Sequence, residues 1–280
     1  MLRRVARLAD KWAVHVDHSG GFLAEDKALL AGNRVFRDCH RDQRCFVIGN
    51  GPSLRRQDLS LLTNELTFVM SGFWKHPVVR QWQPTYYFFA DPMFFDGSEP
   101  MRKFFSDLRS QIHSTKFFVP LSSKEIIQKI SLLPLEKTYF VAVRGMLEGR
   151  VSYNGLSGRP DLARFVPGVF TVAQLALMAA IYMGCSPIYL LGLDHDWLAH
   201  RGMDRHFYNG KTIENHPKAH GDLNRLSYKT DAQGVVDIWN GYEYFSKVSK
   251  QEGIEIFNAT DGGFLDVFER VCYRSLFLLP

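Results

Sequence analysis

The chain has 280 residues, 46% of them hydrophobic, and a formal net charge of +5. That is enough for one large α/β core with a small lid, and the charge is scattered rather than gathered into the runs or modules of a nucleic-acid binder, so no nucleic-acid partner is expected. No stretch approaches the ~18 consecutive apolar residues of a membrane span, and Met1-Leu2-Arg3-Arg4 opens without the apolar region of a signal peptide, which makes a cytoplasmic location the expectation.

The first element predicted is an N-terminal helical extension, residues 1–43. In it Leu2, Val5, Ala6, Ala9, Trp12, Ala13 and Val16 share one helical face, with Arg3, Arg4, Arg7 and Lys11 opposite. Such a helix packs on its own domain or on a second subunit of a homo-oligomer, the commoner use of an amphipathic face. The other use is to lie on an anionic inner-membrane surface through residues 2–16, as a peripheral contact. The four cysteines, Cys39, Cys45, Cys185 and Cys272, show no C-x-x-C pairing and read as reduced thiols.

From residue 44 the chain alternates strands and helices. Strands are predicted at Cys45 to Ile48, Leu66 to Met70, Tyr86 to Ala90, Lys116 to Val119, Thr138 to Ala142, Ile188 to Leu191 and Ile254 to Phe257. Most are continuous apolar runs, the mark of a parallel sheet covered on both faces. Helices are predicted from Thr171 to Met183, ending at Gly184, and from about Val235 to Lys250. The fold expected is α/β, a doubly wound, mostly parallel Rossmann-like sheet with a small lid inserted before the last strand. Its parts would be a nucleotide-binding domain over 44–196, a lid over 197–230, and the completion of the Rossmann-like domain over 231–280.

The most informative stretch follows the first strand: Ile48-Gly49-Asn50-Gly51-Pro52-Ser53-Leu54. Two glycines let backbone approach a ligand closely, and Ser53 stands where a following helix would be capped, offering free N–H groups to a phosphate. The same residues also suit an ordinary turn, with Pro52 fixing φ. They match neither the G-x-G-x-x-G fingerprint nor a Walker A loop.

In a doubly wound sheet, ligands sit beyond the carboxyl ends of the strands. That rule gathers Gly49, Asn50 and Gly51 with Ser71-Gly72, Asp91-Pro92 and the run Gly192-Leu193-Asp194-His195-Asp196. Pro167-Gly168, ahead of Thr171, adds another helix start. Asp91 either holds a sugar hydroxyl or caps the next turn. The segment Trp197 to Thr230 is the longest irregular one, with His200, His206, His216 and His220 among Arg201, Arg205, Lys211, Lys218 and Arg225. Long loops of this kind are lids or binding loops, and a histidine there suits proton transfer near neutral pH.

The turn at Ile48 to Leu54, together with Gly168-Val169-Phe170-Thr171, the alanine-rich helix after it and Ile188-Tyr189-Leu190-Leu191-Gly192-Leu193-Asp194, resembles the bacterial sialyltransferases that build lipooligosaccharide. It also resembles a broader family described as 6-hydroxymethylpterin diphosphokinase-like, which includes motility accessory factors and proteins of surface-polysaccharide clusters. That second likeness extends through Tyr86 to Pro92 and Asn258 to Asp266, and spans roughly residues 44 to 270.

The sialyltransferase resemblance implies a Rossmann-like domain with a lid that moves a sugar acid, sialic-acid-like or Kdo-like, from a CMP-activated donor to a glycan or glycolipid acceptor without metal or other cofactor. Carried onto this chain, it places Gly49, Asn50, Gly51, Pro52 and Ser53 on the nucleotide, with Gly168 and Thr171 near the same ligand. Ser71, Asp91, Asp194 and His195 would complete the wall, and Tyr208 is a loose counterpart of the lid tyrosines that bind phosphate. Arg205 suits the leaving phosphate. The family's lid histidine serves as general base, but here the corresponding stretch reads Leu226-Ser227-Tyr228-Lys229-Thr230. His220 is the nearest histidine, His206 a second, and Tyr228 occupies the position itself, although a phenol with pKa near 10 is a poor base at neutral pH.

Three alternatives stay open. A pterin-type diphosphokinase would need Mg²⁺ on carboxylates such as Asp91, Asp194 and Asp196. Asp194-His195-Asp196 also looks like the D-x-D of UDP-sugar transferases that use Mg²⁺ or Mn²⁺. A non-catalytic nucleotide-binding protein is the third.

Overall fold

In a computed structural model, residues 24–143, 153, 156, 158–200, 203–208 and 227–278 are described. In chain order the main elements are α1 (Ala24–Gly32), β1 (Cys45–Ile48), β2 (Leu66–Met70), β3 (Tyr86–Phe88), α2 (Glu99–Gln111), β4 (Lys116–Pro120), α3 (Lys124–Ile130) and β5 (Thr138–Val143). There follow β6 (Phe165–Val166), α4 (Val172–Tyr182), β7 (Ile188–Leu191), α5 (Tyr228–Gln251), β8 (Ile256–Asn258) and β9 (Glu269–Arg270). The helix expected over residues 2–16 lies outside the described residues, as do Arg201, Lys211, His216, Lys218, His220, Arg225 and Leu226.

Among the described residues all nine strands form one parallel sheet in the order β6-β5-β4-β3-β2-β1-β7-β8-β9. The apolar runs are buried on both faces, as continuous hydrophobic strands require. Along β1, Cys45 and Val47 join the core under α4, whereas Phe46 and Ile48 join the core with Met101, Phe104, Phe105 and Leu108 of α2. The two-residue period of a strand feeds the two cores alternately.

Ten of the eleven residues of α4 are buried. A helix that is apolar all round must be covered all round, and α4 lies between the sheet at β1 and β2 and the long helix α5. It is capped by Thr171, whose side chain accepts from the Ala173 N–H. No helix among the described residues is long and apolar enough to cross a membrane.

Beyond shifted bounds, as in β8 at Ile256–Asn258 rather than Ile254 to Phe257, and the unpredicted helices α2 and α3, the structure differs from the sequence reading in three further ways. The turn after β1 does not enter an α-helix: Pro52–Arg56 is a single 3₁₀ turn with Gly51 at its N-cap, and Gln57 then extends, its side-chain amide donating to the Ala259 carbonyl at 2.8 Å. So short a turn carries little dipole. Second, β6 and β9 are extra strands, too short and, in Glu269-Arg270, too polar to leave a hydrophobic pattern. Third, α5 begins at Tyr228 rather than near Val235. Its first turns are polar and hold Gly234, so no apolar period marks them. The start is set by Ser227, whose side chain accepts from the Thr230 N–H.

Candidate active-site crevice

The strand order reverses between β1 and β7, because the chain runs from β1 outward to β6 on one side and from β7 to β9 on the other. The turns after these two strands leave in opposite directions and open the crevice where a doubly wound fold takes its ligand. The turn after β1 is Gly49 to Ser53, and the turn after β7 is Gly192 to Asp196.

These turns are locked together. The Gly49 N–H donates to the Leu191 carbonyl at 2.8 Å and the Gly51 N–H to the Gly192 carbonyl at 2.9 Å. Asp194, 7% exposed, accepts the Ser53 N–H on Oδ1 at 2.9 Å and the Ser53 hydroxyl on Oδ2 at 2.8 Å. A Cβ on Gly51 would fall 1.7 Å from Asp194 Oδ2, and one on Gly49 would fall 2.4 Å from the Gly192 carbonyl. Both glycines are therefore needed for protein-to-protein approach. Burial raises the Asp194 pKa above the usual carboxylate value, and the two Ser53 donors work against that rise. The Asp194 carbonyl takes the Phe264 N–H at 2.7 Å, which ties the segment after β8 to the same point.

Asn50 donates from Nδ2 to the Met70 carbonyl at 3.1 Å, and its own carbonyl takes the Phe207 N–H at 2.7 Å. Its Oδ1 is buried without a donor among the described residues, a state that costs about 1–3 kcal/mol. Phe207 belongs to the part of the predicted lid that is described, residues 203–208, and this part is strapped onto the β1 turn. Arg55 donates to the Phe207 carbonyl at 2.8 Å and the His206 carbonyl at 3.3 Å and pairs with Asp204 at 3.2 Å. The Tyr208 ring rests on Gly72, where a Cβ would come within 2.3 Å of it. His206 stacks on that ring at 5.1 Å, and Lys75 Nζ stands 4.5 Å from its centroid. Burial raises the Tyr208 phenol further above its ordinary value. Arg205 lies 5.9 Å from the Trp197 ring centroid.

Ser71 and His195, at the ends of β2 and β7, both adopt left-handed backbone, with φ of +48°. For non-glycine residues that conformation is costly and gathers at functional sites. The His195 Nε2 lies 2.8 Å from the Tyr242 hydroxyl on α5. Its ring is framed by Trp197, Trp239 and Tyr242 at 5.6, 6.0 and 5.4 Å, and burial pulls its pKa down to about 4. Trp239 also lines an open groove of about 620 Å³ with Glu243, Lys247, Lys250 and Asp266.

The other predicted residues have partners of their own or face solvent. Asp91 is exposed and caps the 3₁₀ turn Pro92–Phe95, accepting from the Met93 N–H at 2.8 Å. The Gly168 carbonyl accepts from the Tyr153 hydroxyl at 3.0 Å. Tyr228, in the first turn of α5, is 64% exposed. Asp196 pairs with His200 at 3.3 Å. The two aspartates of the D-x-D run thus serve different partners, Ser53 and His200. No group of three or more His, Cys, Asp or Glu suited to a metal occurs among the described residues. Sequence reasoning passed over Arg55 and Tyr242. Arg55 was legible as a cation just past the glycine turn, whereas Tyr242 looks like any core aromatic of a helix.

No protein-family model matches the chain, and no curated protein is similar to it in sequence. Solved structures are similar in fold. The sialyltransferase CstII from Campylobacter jejuni, in complex with the substrate analogue CMP-3FNeuAc, superposes with a TM-score of 0.50 at 12% identity, over 85% of this chain and 90% of CstII. A complex of the same enzyme with CMP and a trisaccharide acceptor gives a TM-score of 0.45 at 16% identity, over 82% and 86% of the two chains. The chain has a sialyltransferase-like fold.

Proposed function

We propose that this protein is a glycosyltransferase that moves a sialic-acid-like or Kdo-like sugar acid from a CMP-activated donor to a glycan or glycolipid acceptor. The observation that carries the reading is the fold shared with CstII over 85% of the chain, with the β1/β7 crevice at its switch point. In this reading the nucleotide lies along Gly49 to Ser53 and against Tyr208. Arg205 faces the phosphate that leaves as the sugar carbon exchanges its phosphate oxygen for the acceptor oxygen. The acceptor proton goes to a lid histidine, His220 or His206, with Tyr228 at the rim. The reaction needs no metal, in keeping with Asp194 and Asp196 being held by Ser53 and His200.

The full-length chain incubated with CMP-sialic acid or CMP-Kdo, an oligosaccharide acceptor and EDTA should release CMP and form a new glycoside, and CMP alone should raise its Tm by mass action. No turnover with either donor, together with a Tm rise produced only by ATP with Mg²⁺ or UDP with Mn²⁺, would overturn the reading. Substituting His220→Ala and His206→Ala separately assigns the base, since the base variant loses transfer while keeping the CMP shift.

A further inference from the structure

We propose that Arg55 is a positioning residue for the ligand of the crevice: it fixes the backbone of residues 204–207 so that the Tyr208 ring stands as a ready-made wall above Gly72. That the ligand is a nucleotide lying against Tyr208 rests on the reading above; the fastening of this strap does not.

A trans peptide unit is planar, so one gripped at both its carbonyl and its N–H has little freedom left to turn. The unit joining His206 to Phe207 is held in this way: its carbonyl accepts from Arg55 Nη2 at 3.3 Å, and its N–H donates to the Asn50 carbonyl at 2.7 Å. The carbonyl of the next unit, between Phe207 and Tyr208, accepts from Arg55 Nε at 2.8 Å. One guanidinium thus sets two successive peptide planes, and with them the direction in which Tyr208 leaves the backbone. Its ring meets Gly72, two residues past the carboxyl end of β2, where a Cβ would fall 2.3 Å from Cζ and 2.4 Å from the hydroxyl oxygen. Phe207 anchors the strap from below, its ring centroid 5.1 Å from that of His76 and 6.3 Å from that of Phe73.

Arginine suits this task because its planar fork presents several donors in fixed directions, whereas lysine offers a point charge. The ion pair with Asp204 adds less, since the two side chains are 47% and 45% exposed and such pairs are screened by water and salt. The fork also stands on a firm base. Its 3₁₀ turn, Pro52–Arg56, is tied to Asp194 through Ser53. The next residue, Arg56, reaches away from the strap to the segment after β8, donating to the side chain and to the carbonyl of Asp261 at 2.6 Å each. Arg56 is therefore an internal control, with the same turn and the same side-chain chemistry but a different segment in its grip.

Two measurements on the full-length chain test this: hydrogen exchange of the Phe207 amide by NMR, and the Kd of CMP, of UDP and of ATP with Mg²⁺ by calorimetry. Arg55→Ala should speed exchange at Phe207 and weaken the nucleotide that binds, each by about ten-fold, the scale of one charge-assisted hydrogen bond. Arg55→Lys should fall between wild type and Arg55→Ala, and Asp204→Asn should change either quantity by less than about two-fold. Arg56→Ala should leave both at wild-type values, which separates positioning from a general loosening of the turn. Unchanged exchange in Arg55→Ala would overturn the fastening. Faster exchange with unchanged affinity, or an equal loss of affinity in Arg56→Ala, would overturn the positioning role, as would binding of none of the three nucleotides. Binding of UDP or ATP in place of CMP, weakened by Arg55→Ala, would sink the CMP donor proposed above and leave this inference standing.

Discussion

The two ends of the sheet are closed by different means. At the end where the strands begin, residues 38–43 are stitched to the end of α4 largely by backbone. The N–H groups of Asp38, His40 and Asp42 donate to the carbonyls of Tyr182, Met183 and Gly184, and the Ser186 N–H returns to the Gln43 carbonyl. Arg159 completes the seam, donating to the Ile181 carbonyl at 2.9 Å and the Tyr182 carbonyl at 2.5 Å and pairing with Asp38 at 2.6 Å. At the opposite end side chains do more of the work: Ser53 with Asp194, Asn50 with Met70, Arg55 with residues 204–207, and Tyr242 with His195. Backbone seams leave little for a ligand to compete for, whereas side-chain locks can rearrange and leave acceptors such as Asn50 Oδ1 unmatched. The first end is a closure, and the second is where we propose the site.

The sharpest way to break this contrast is Gly51→Ala. The new methyl meets the Asp194 carboxylate and, at 2.7 Å, the Gly192 carbonyl, so overpacking should cost about 3 kcal/mol and lower the Tm measured by calorimetry. Gly72→Ala should cost less, since its clash is with a Tyr208 ring at the edge of the crevice that can swing aside.

Acidification separates the two ends next. His195 is held neutral with a pKa near 4 against an ordinary 6.5. The folded state therefore binds fewer protons than the unfolded state between those values, and stability present above pH 6.5 is lost as pH falls toward 4, by about 3 kcal/mol. Asp194 works in the opposite sense: its raised pKa favours the folded state as pH falls through it. Denaturant titrations of His195→Asn, a residue that tolerates left-handed backbone, should show a flatter acid limb than wild type. An unchanged limb would mean that His195 is not held neutral.

At the other end, Arg159→Ala leaves Asp38 with Arg41 alone and takes one donor from each of two carbonyls that keep a backbone N–H; losing these charged hydrogen bonds should cost about 2 kcal/mol, with CMP affinity unchanged. A fall in CMP affinity would show that the two ends are coupled through α4. The smallest effect expected is for Asp91→Ala. Loss of its cap on the Met93 N–H should cost about 1 kcal/mol and leave ligand binding intact, whereas loss of binding would assign Asp91 to the ligand.

Much of the architecture was legible in local chemistry. The runs Cys45 to Ile48 and Ile188 to Leu191 are strands with those bounds because continuous apolar residues suit a sheet covered on both faces. Thr171 and Gly184 mark α4 for the same local reason, a cap and a left-handed glycine at φ +79°. The site was less legible. Gly49 and Gly51 do permit close approach, but what approaches them is the turn after β7. Ser53 was read as a helix cap, yet its partner Asp194 lies 141 residues away.

By itself, then, the sequence determined the parallel α/β class, the central strands, the fully buried helix and the turns that must meet at a switch point, since each follows from side-chain periodicity and backbone preference within a few residues. Only the tertiary structure decided that Ser53 and Asp194 hold each other, that Asp91 is a cap, and that Tyr242 stands behind His195 from 47 residues away. Those pairings are set by which buried polar groups find partners once the sheet closes, and no local pattern in the chain records that outcome.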